Sequence, residues 1–448
     1  MKILIVSVNN VLIPHPVYPL GVDYVVGSLS DRHQVKVVDM AAMDHGELQP
    51  LLAEYKPDLI GLSIRNIDST DITSIESSFD QITKVVEVIR QNWLGLLVLG
   101  GSGFSILPVE MMEAFGADYG LIGEGERFSQ LLDALENGRD VLSIPGVMVK
   151  GGSAAYPAPW DGTINRSFSQ NNRALKHYLD HGGILNLQTK RGCRFNCIYC
   201  TYPLLEGRHY RLFDPEKIAR EALGLENKGA KFLFVVDSIF NSDFEHSLAV
   251  AEAFKSVGLT TPWGGFFAPV PGPARYYQHL AESGLTHVEF GTDSLCPEML
   301  KNYGKPFQLE MVFEAHQAGL EAGINIAHYL LLGGPGETKD TLNETLTNAE
   351  HLHDSVLFFF EGLRVYPGTR LYDHALESGQ IQKGQNLLTP VYYQSPALKY
   401  EAISEIVAAR AKGRSNWIIG GGGKTTNSLI SIMHRHGHTG PLWDRRIR

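Results

Sequence analysis

Three of the chain's four cysteines fall within eight residues: Cys193, Cys197 and Cys200, in TKRGCRFNCIYCTYP (189–203). Thiolates in a C-x3-C-x2-C pattern supply three corners of a cubane [4Fe–4S] cluster, which normally takes four. The missing ligand leaves one iron with an open position, and in metal sites the open position is where chemistry is done. Tyr199, just before the last cysteine, would shield such a cluster or stack near its ligand. Arg191 and Arg194 would set positive charge beside a reducible anion. The competing reading is a zinc knuckle with His209 as fourth ligand, but zinc ribbons pair two CxxC halves and no second half exists. Cys296 stands alone and reads as a plain core thiol.

Something must hold that loop in place. From residue 182 onward, apolar runs at 184–189, 231–237, 263–268, 286–291, 324–332 and 356–365 read as strands. Helical patterns separate them at 215–228, 243–257, 273–283, 308–322 and 338–352. Six such units predict a partial (β/α)6 barrel, two units short of the usual eight, with the cysteines at the C-terminal mouth where barrel active sites are built. Ahead of it, strands at 2–8, 34–40, 58–64, 95–101 and 119–125 alternate with helices at 20–30, 46–55, 78–92 and 108–115. That pattern predicts a doubly wound, Rossmann-like parallel sheet whose ligands sit at the carboxyl ends of its strands. The expected organisation is a first α/β domain at 1–145, a Gly/Pro-rich linker at 146–180, the barrel at 181–375 and an extension at 376–448. RSNWIIGGGGKTTNS, in that extension, looks like a phosphate loop but has Ile418 where the first glycine belongs, so it reads as a flexible or capping tail.

In the first domain, LGGSGFS (99–105) and IGEGE (122–126) follow the fourth and fifth strands. Gly100, Gly101, Gly103, Gly123 and Gly125 would let backbone N–H groups approach a polar ligand beside Glu124, with Ser102 and Ser105 as further donors. No G-x-G-x-x-G follows the first strand, which argues against a nicotinamide fold. A net charge of −10 argues against a general nucleic-acid binder. Four cysteines in 448 residues make no disulfide framework. Neither a signal peptide nor an apolar run of ~20 residues is present, so the expectation is a cytoplasmic protein with no integral membrane segment.

C-x3-C-x-aromatic-C after the first strand of a short barrel resembles the radical S-adenosylmethionine superfamily, over roughly 182–380. The resemblance implies that the open iron takes the amino and carboxylate groups of S-adenosylmethionine. An electron, from a donor such as flavodoxin or ferredoxin, then cleaves it to a 5′-deoxyadenosyl radical. VEFGTDS (288–294) resembles the family's strand-four segment, with Asp293 in place of the usual Glu and Ser294 following. LLLGGPGET (330–338) resembles the strand-five segment whose glycines, here Gly333 and Gly334, approach the cosubstrate. RVYPGTRLYDHALESG (364–379) resembles the segment beside the adenine, and Asp237 ends strand two where the family often has polar ligands. On the residues alone, each glycine segment is equally a turn after a strand.

A Gly-rich sheet placed before such a barrel is similar to the cobalamin-binding domain of the cobalamin-dependent subfamily. YPLGVDYVVGSL (18–29), IGLSIRNIDS (60–69), GGSGFSILP (100–108) and GEGE (123–126) carry that likeness. It implies a corrin over the sheet's C-terminal edge, its nucleotide tail in the slot near 100–105, and Ser63, Arg65 and Asn66 beneath the ring. The D-x-H-x-x-G whose histidine ligates cobalt in mutase-type domains is missing, because DHG at 44–46 lacks the spacing. Cobalt without that histidine suits methyl transfer. The expected function is therefore methylation of an unactivated carbon in a small-molecule or lipid-like substrate. The alternatives are radical cyclisation or rearrangement with cobalamin in a non-methylating role, and a sensor, for which no output module is visible. The aromatic run VLFFFEGL (356–363) suits an apolar substrate and equally a buried strand; Arg65 and Asp68 are equally a loop ion pair.

Overall fold

The computed structural model describes the chain except residues 10, 12, 73–77, 169–171 and 448, and the side chains of 172, 424 and 425. Its first sheet comprises β1 (Lys2–Ser7), β2 (Gln34–Asp39), β3 (Leu59–Ser63), β4 (Leu96–Gly100), β5 (Tyr119–Leu121) and β6 (Val147–Val149). The order is β2-β1-β3-β4-β5-β6. The first five strands are parallel and β6 is antiparallel at the edge. Successive side chains of β1 alternate between two apolar layers, Leu4 and Val6 to one, Ile3 and Ile5 to the other. Helices Leu20–Ser28 and Phe128–Glu136 cover one face; His45–Tyr55, Phe79–Asn92 and Pro108–Phe115 cover the other. Strand order reverses between β1 and β3, and a ligand crevice opens at such a switch point. The stretch read as a linker is in part structured: it supplies β6 and the helix Asn172–Asp180.

The second sheet is parallel throughout. Its strands are β7 (Ile184–Leu187), β8 (Phe232–Val235), β9 (Trp263–Phe267), β10 (Leu285–Asp293), β11 (Asn325–Leu332), β12 (Ser355–Glu361) and β13 (Trp417–Ile419), neighbours in chain order. The six expected strands are there, and three of the connecting helices start at side-chain caps: Asp214, Asp243 and Thr338 each accept from a backbone N–H of the first turn. Of the two readings of this stretch, a flexible or a capping tail, the seventh strand fits the second. β13 pairs with β12, and the helix Gly423–Arg435 follows it. No described helix is long and apolar enough to cross a membrane.

Buried ion pairs join the two sheets' domains. Arg166 binds Asp23 at 3.0 Å and Arg364 binds Asp68 at 2.8 Å, all four side chains about 1% exposed. Asp68 is thus the partner of a barrel residue, not of Arg65.

Candidate active site

Strand alternation decides which barrel residues face inward. In β8, Leu233 and Val235 pack outward on the helices, so Phe234 points in. The same parity turns Phe266, Glu289, Tyr329, Phe358, Phe360 and Ile418 inward while Phe267, Val288, Phe290, Leu330, Leu357, Phe359 and Trp417 pack outside. The run FFF is thus both a buried strand and a cavity wall. These inward residues line one end of a cavity of about 990 Å³. Its other end is the C-terminal edge of the first sheet, with Ser7, Ser63, Arg65, Asn66, Gly100, Gly101, Ser102, Gly123, Glu124 and Gly125. Leu429, Ile430 and Met433 of the tail helix close the side between them.

At the first-sheet end the lining carries polar atoms with nothing to bond. Arg65 Nε and Asn9 Oδ1 are buried without a partner among the described residues. Burial holds the Arg65 guanidinium below its ordinary range, opposed only in part by Tyr178, Tyr202 and Asp39. His15, in the same lining, is pushed down to about 4 by burial, and by His434 and Arg65. Buried orphan donors and acceptors mark a place where a polar ligand belongs. The residues therefore fit a large polar cofactor such as a corrinoid.

Glycine is required where the loops after β3 and β4 meet. Gly101 has φ +100 and ψ 170, a region essentially reserved for glycine, and a Cβ there would lie 2.5 Å from the Ile64 carbonyl oxygen. Gly101→Ala is expected to spread these loops at a strain cost of ~1–3 kcal/mol. Equilibrium dialysis should show weakened cobalamin uptake with the barrel's secondary structure unchanged; wild-type uptake would refute the assignment.

The cysteine loop stands beside this chamber. Cys193, Cys197 and Cys200 are free thiols, and the chamber reaches the residues after them, Thr201 and Tyr202. Burial pushes the Cys200 thiol up to about 12 and raises Cys197. Lys305 Nζ is 3.7 Å from Cys197 Sγ and 2.6 Å from Asp293 Oδ2, and Asp293 also accepts from the Tyr199 hydroxyl. Asp293 adopts φ +62 at a register break in β10, which re-aims its side chain at the loop. Among the described residues, no three His, Cys, Asp or Glu side chains converge on a point for one bare ion. Three thiols without a fourth donor fit a multi-iron cluster with an open position rather than zinc. Cys296 is buried and donates to Glu344, away from this set.

Several expected ligands instead hold the frame. The Asp237 carboxylate accepts from the backbone N–H and hydroxyl of Thr189 and from Lys190 Nζ at 3.1 Å, with Lys190 and Asp237 side chains fully buried. It anchors the strand end before the cysteines and does not reach the chamber lining. Ser294 bonds Thr345 and the Cys296 amide. Gly333 donates to Glu337, and Gly334 packs on Tyr303, where a Cβ would lie 2.2 Å from the ring. Gly103 donates to the Ile64 carbonyl, and the Ser105 hydroxyl is shared between the Gly101 carbonyl and the Gly123 amide. Glu124 does line the chamber, but Arg191 at 2.7 Å and Arg211 at 2.8 Å take its carboxylate. Arg191 also binds Glu126 at 2.8 Å, so its charge serves to join the domains rather than to face the cluster. Arg194 stacks on Tyr210. Lys305 carries no local signal of its pairing with Asp293, whereas Glu289 stands at an inward position of the strand alternation in VEFGTDS. Burial pushes Glu289 up to about 7, with Trp443 and Tyr329 donating to it in opposition.

Comparison with known proteins matches the two halves separately. Residues 6–132 match the B12 binding domain and residues 187–349 the radical SAM superfamily. An uncharacterized methyltransferase of Pyrococcus horikoshii is 26% identical over 81% of this chain and 79% of its own. The tryptophan 2-C-methyltransferase of Streptomyces laurentii is 23% identical over 80% of this chain and 72% of its own. The fold matches that of the radical S-adenosylmethionine methyltransferase TsrM from Kitasatospora setae, solved with cobalamin and a [4Fe–4S] cluster, at TM-score 0.85 and 22% identity, covering 99% of this chain and 97% of that one. With a B12 binding domain ahead of a radical SAM domain, and a chamber running between them, the chain belongs to the B12-binding radical S-adenosylmethionine enzymes.

Proposed function

We propose that this enzyme methylates an unactivated carbon of a small molecule, in a reaction that depends on cobalamin, a [4Fe–4S] cluster and reductive cleavage of S-adenosylmethionine. One observation carries the reading: a single chamber joins the edge of the B12 domain to the barrel interior and passes the cysteine loop. The methyltransferase relatives, and a fold neighbour solved with tryptophan and a cosubstrate analogue, support it. When bound, the cluster supplies the electron for cleavage and the corrinoid supplies the methyl carrier.

The chain's own residues provide position and exclusion. Cys193, Cys197 and Cys200 would ligate the cluster. Tyr199, Asp293 and Lys305 form a hydrogen-bonded set beside it, where the cosubstrate would lie. Ser63, Arg65 and Asn66 would floor the corrin, with no D-x-H-x-x-G histidine among them. The loops at Gly100–Gly101–Ser102 and Gly123–Gly125 would border its tail. The Arg191–Glu124–Arg211 group locks the domains so that the chamber keeps its shape. The proposed reductant is flavodoxin or ferredoxin, and the proposed location the cytoplasm.

The test is anaerobic reconstitution with iron, sulfide and cobalamin, then reduction with S-adenosylmethionine and candidate substrates. The expected products are 5′-deoxyadenosine and a substrate heavier by one CH2. A product of altered connectivity but unchanged carbon count would mean ring closure or rearrangement; no cleavage of S-adenosylmethionine at all would sink the reading.

A further inference from the structure

The barrel end of the chamber differs in chemistry from the first-sheet end. Its walls are rings. Tyr329 stacks on Phe358 with centroids 4.8 Å apart and planes 12° from parallel, and on Phe360 at 6.0 Å and 14°. These three, from neighbouring strands β11 and β12, make one flat wall. Phe266, on the interior strand β9, is 37% exposed and faces the chamber, meeting Phe234 edge-on at 5.0 Å. An aromatic side chain inside a barrel with that much open surface is half of an apolar contact.

Set among the rings is Glu289, the one acid that the barrel strands contribute to the lining among the described residues. It is 7% exposed. Trp443 Nε1 donates to Oε1 at 3.0 Å, and the Tyr329 hydroxyl also bonds the carboxyl. Both neighbours are donors held by their own ring packing, so the carboxyl is fixed in orientation as an acceptor. A buried acceptor in an aromatic pocket discriminates strongly, because a ligand without a donor leaves it unpaired. Arg445 and Arg446 also line the chamber, so a cationic ligand would meet like charge.

We propose that this end of the chamber is the substrate subsite and that it selects a flat aromatic molecule bearing a ring N–H or hydroxyl donor and no positive charge. The ring system lies against the Tyr329–Phe358–Phe360 wall and its donor bonds Glu289. The inference rests on the methyltransferase reading for calling the ligand a substrate. Its test does not, since it measures binding without turnover.

The probes are indole, whose N–H is its single donor, and 1-methylindole, which lacks it. Each is titrated calorimetrically into the full-length, cobalamin-loaded protein under anaerobic conditions. At pH 9, where Glu289 is ionised although burial pushes it up to about 7, indole is expected to bind ~10-fold or more tightly than 1-methylindole, the worth of a hydrogen bond to a charged group. In Glu289→Gln the amide still accepts from Trp443 and Tyr329 but turns an N–H toward the ligand, so the preference should vanish. Phe358→Leu should weaken both probes alike and leave their ratio intact, which separates wall from acceptor even if one variant folds poorly. Equal binding of the two probes, binding of neither, or a preference that survives in Glu289→Gln overturns the proposal. Donor-dependent binding with no methylated product from any substrate would instead overturn the methyltransferase reading and leave the ligand class standing.

Discussion

Cys200→Ala is expected to abolish cleavage of S-adenosylmethionine while leaving cobalamin binding intact. Cys193, Cys197 and Cys200 are the three thiols of the loop, and among the described residues no further cysteine stands near them: Cys296 is engaged with Glu344. Losing one leaves two corners of a cubane held by protein, too few to keep the cluster in a reducing buffer. The thiol is also poorly suited to any other role, because burial pushes it up to about 12 and holds it protonated unless a metal draws off the proton. The corrinoid end of the chamber is built from residues 5–128 and shares no thiol with it. Iron content and 5′-deoxyadenosine yield should both fall to background, with the bound corrin spectrum unchanged. Retained cleavage in Cys200→Ala would remove the cluster assignment.

Asp237→Ala should be the most destabilising single change near the site. The Lys190 and Asp237 side chains are both fully buried, and the carboxylate also accepts two bonds from Thr189. Removing one partner leaves a buried ammonium uncompensated, a loss of about 3–5 kcal/mol. Lys190 Nζ keeps one bond, to the Phe240 carbonyl, but no counter-charge. The strand end before Gly192 would then shift, and with it the cysteine loop. Chemical denaturation of Asp237→Ala reads the loss. Replacing both partners together with Lys190→Met and Asp237→Leu should recover most of the stability, because an apolar pair of similar size incurs no charge desolvation. If that double variant is as unstable as Asp237→Ala, the charge argument fails and Asp237 matters for its hydrogen bonds to Thr189.

Asp237 also shows where sequence reading stops. It ends a strand at a barrel mouth, as a ligand would, and its true partner is 47 positions away in the chain. Pairing across such a distance leaves no local trace. The same holds for Ser105, Gly103 and Gly334, whose hydrogen bonds run to neighbouring loops. By contrast, the strands and helices were legible to within a few residues, because each carries the apolar alternation of a two-layer packing. β13 escaped because WII is three residues long and sits between polar, glycine-rich stretches. β6 escaped for a like reason: VMV follows Pro145-Gly146 and reads as the start of a linker. Glu289 is legible in VEFGTDS, because strand parity puts its carboxylate inside, on the face opposite Val288 and Phe290.

The chamber draws its walls from Ile5 to Arg446, nearly the full length of the chain. Contacts that span such separations are the slowest to form. β13, the tail helix and the turn Leu442–Arg446 follow every other wall in sequence, so during synthesis both domains stand with an open flank until residues 417–446 have emerged. Closure of the chamber is thereby coupled to synthesis of this tail. Neither half of the chain made separately would enclose the chamber.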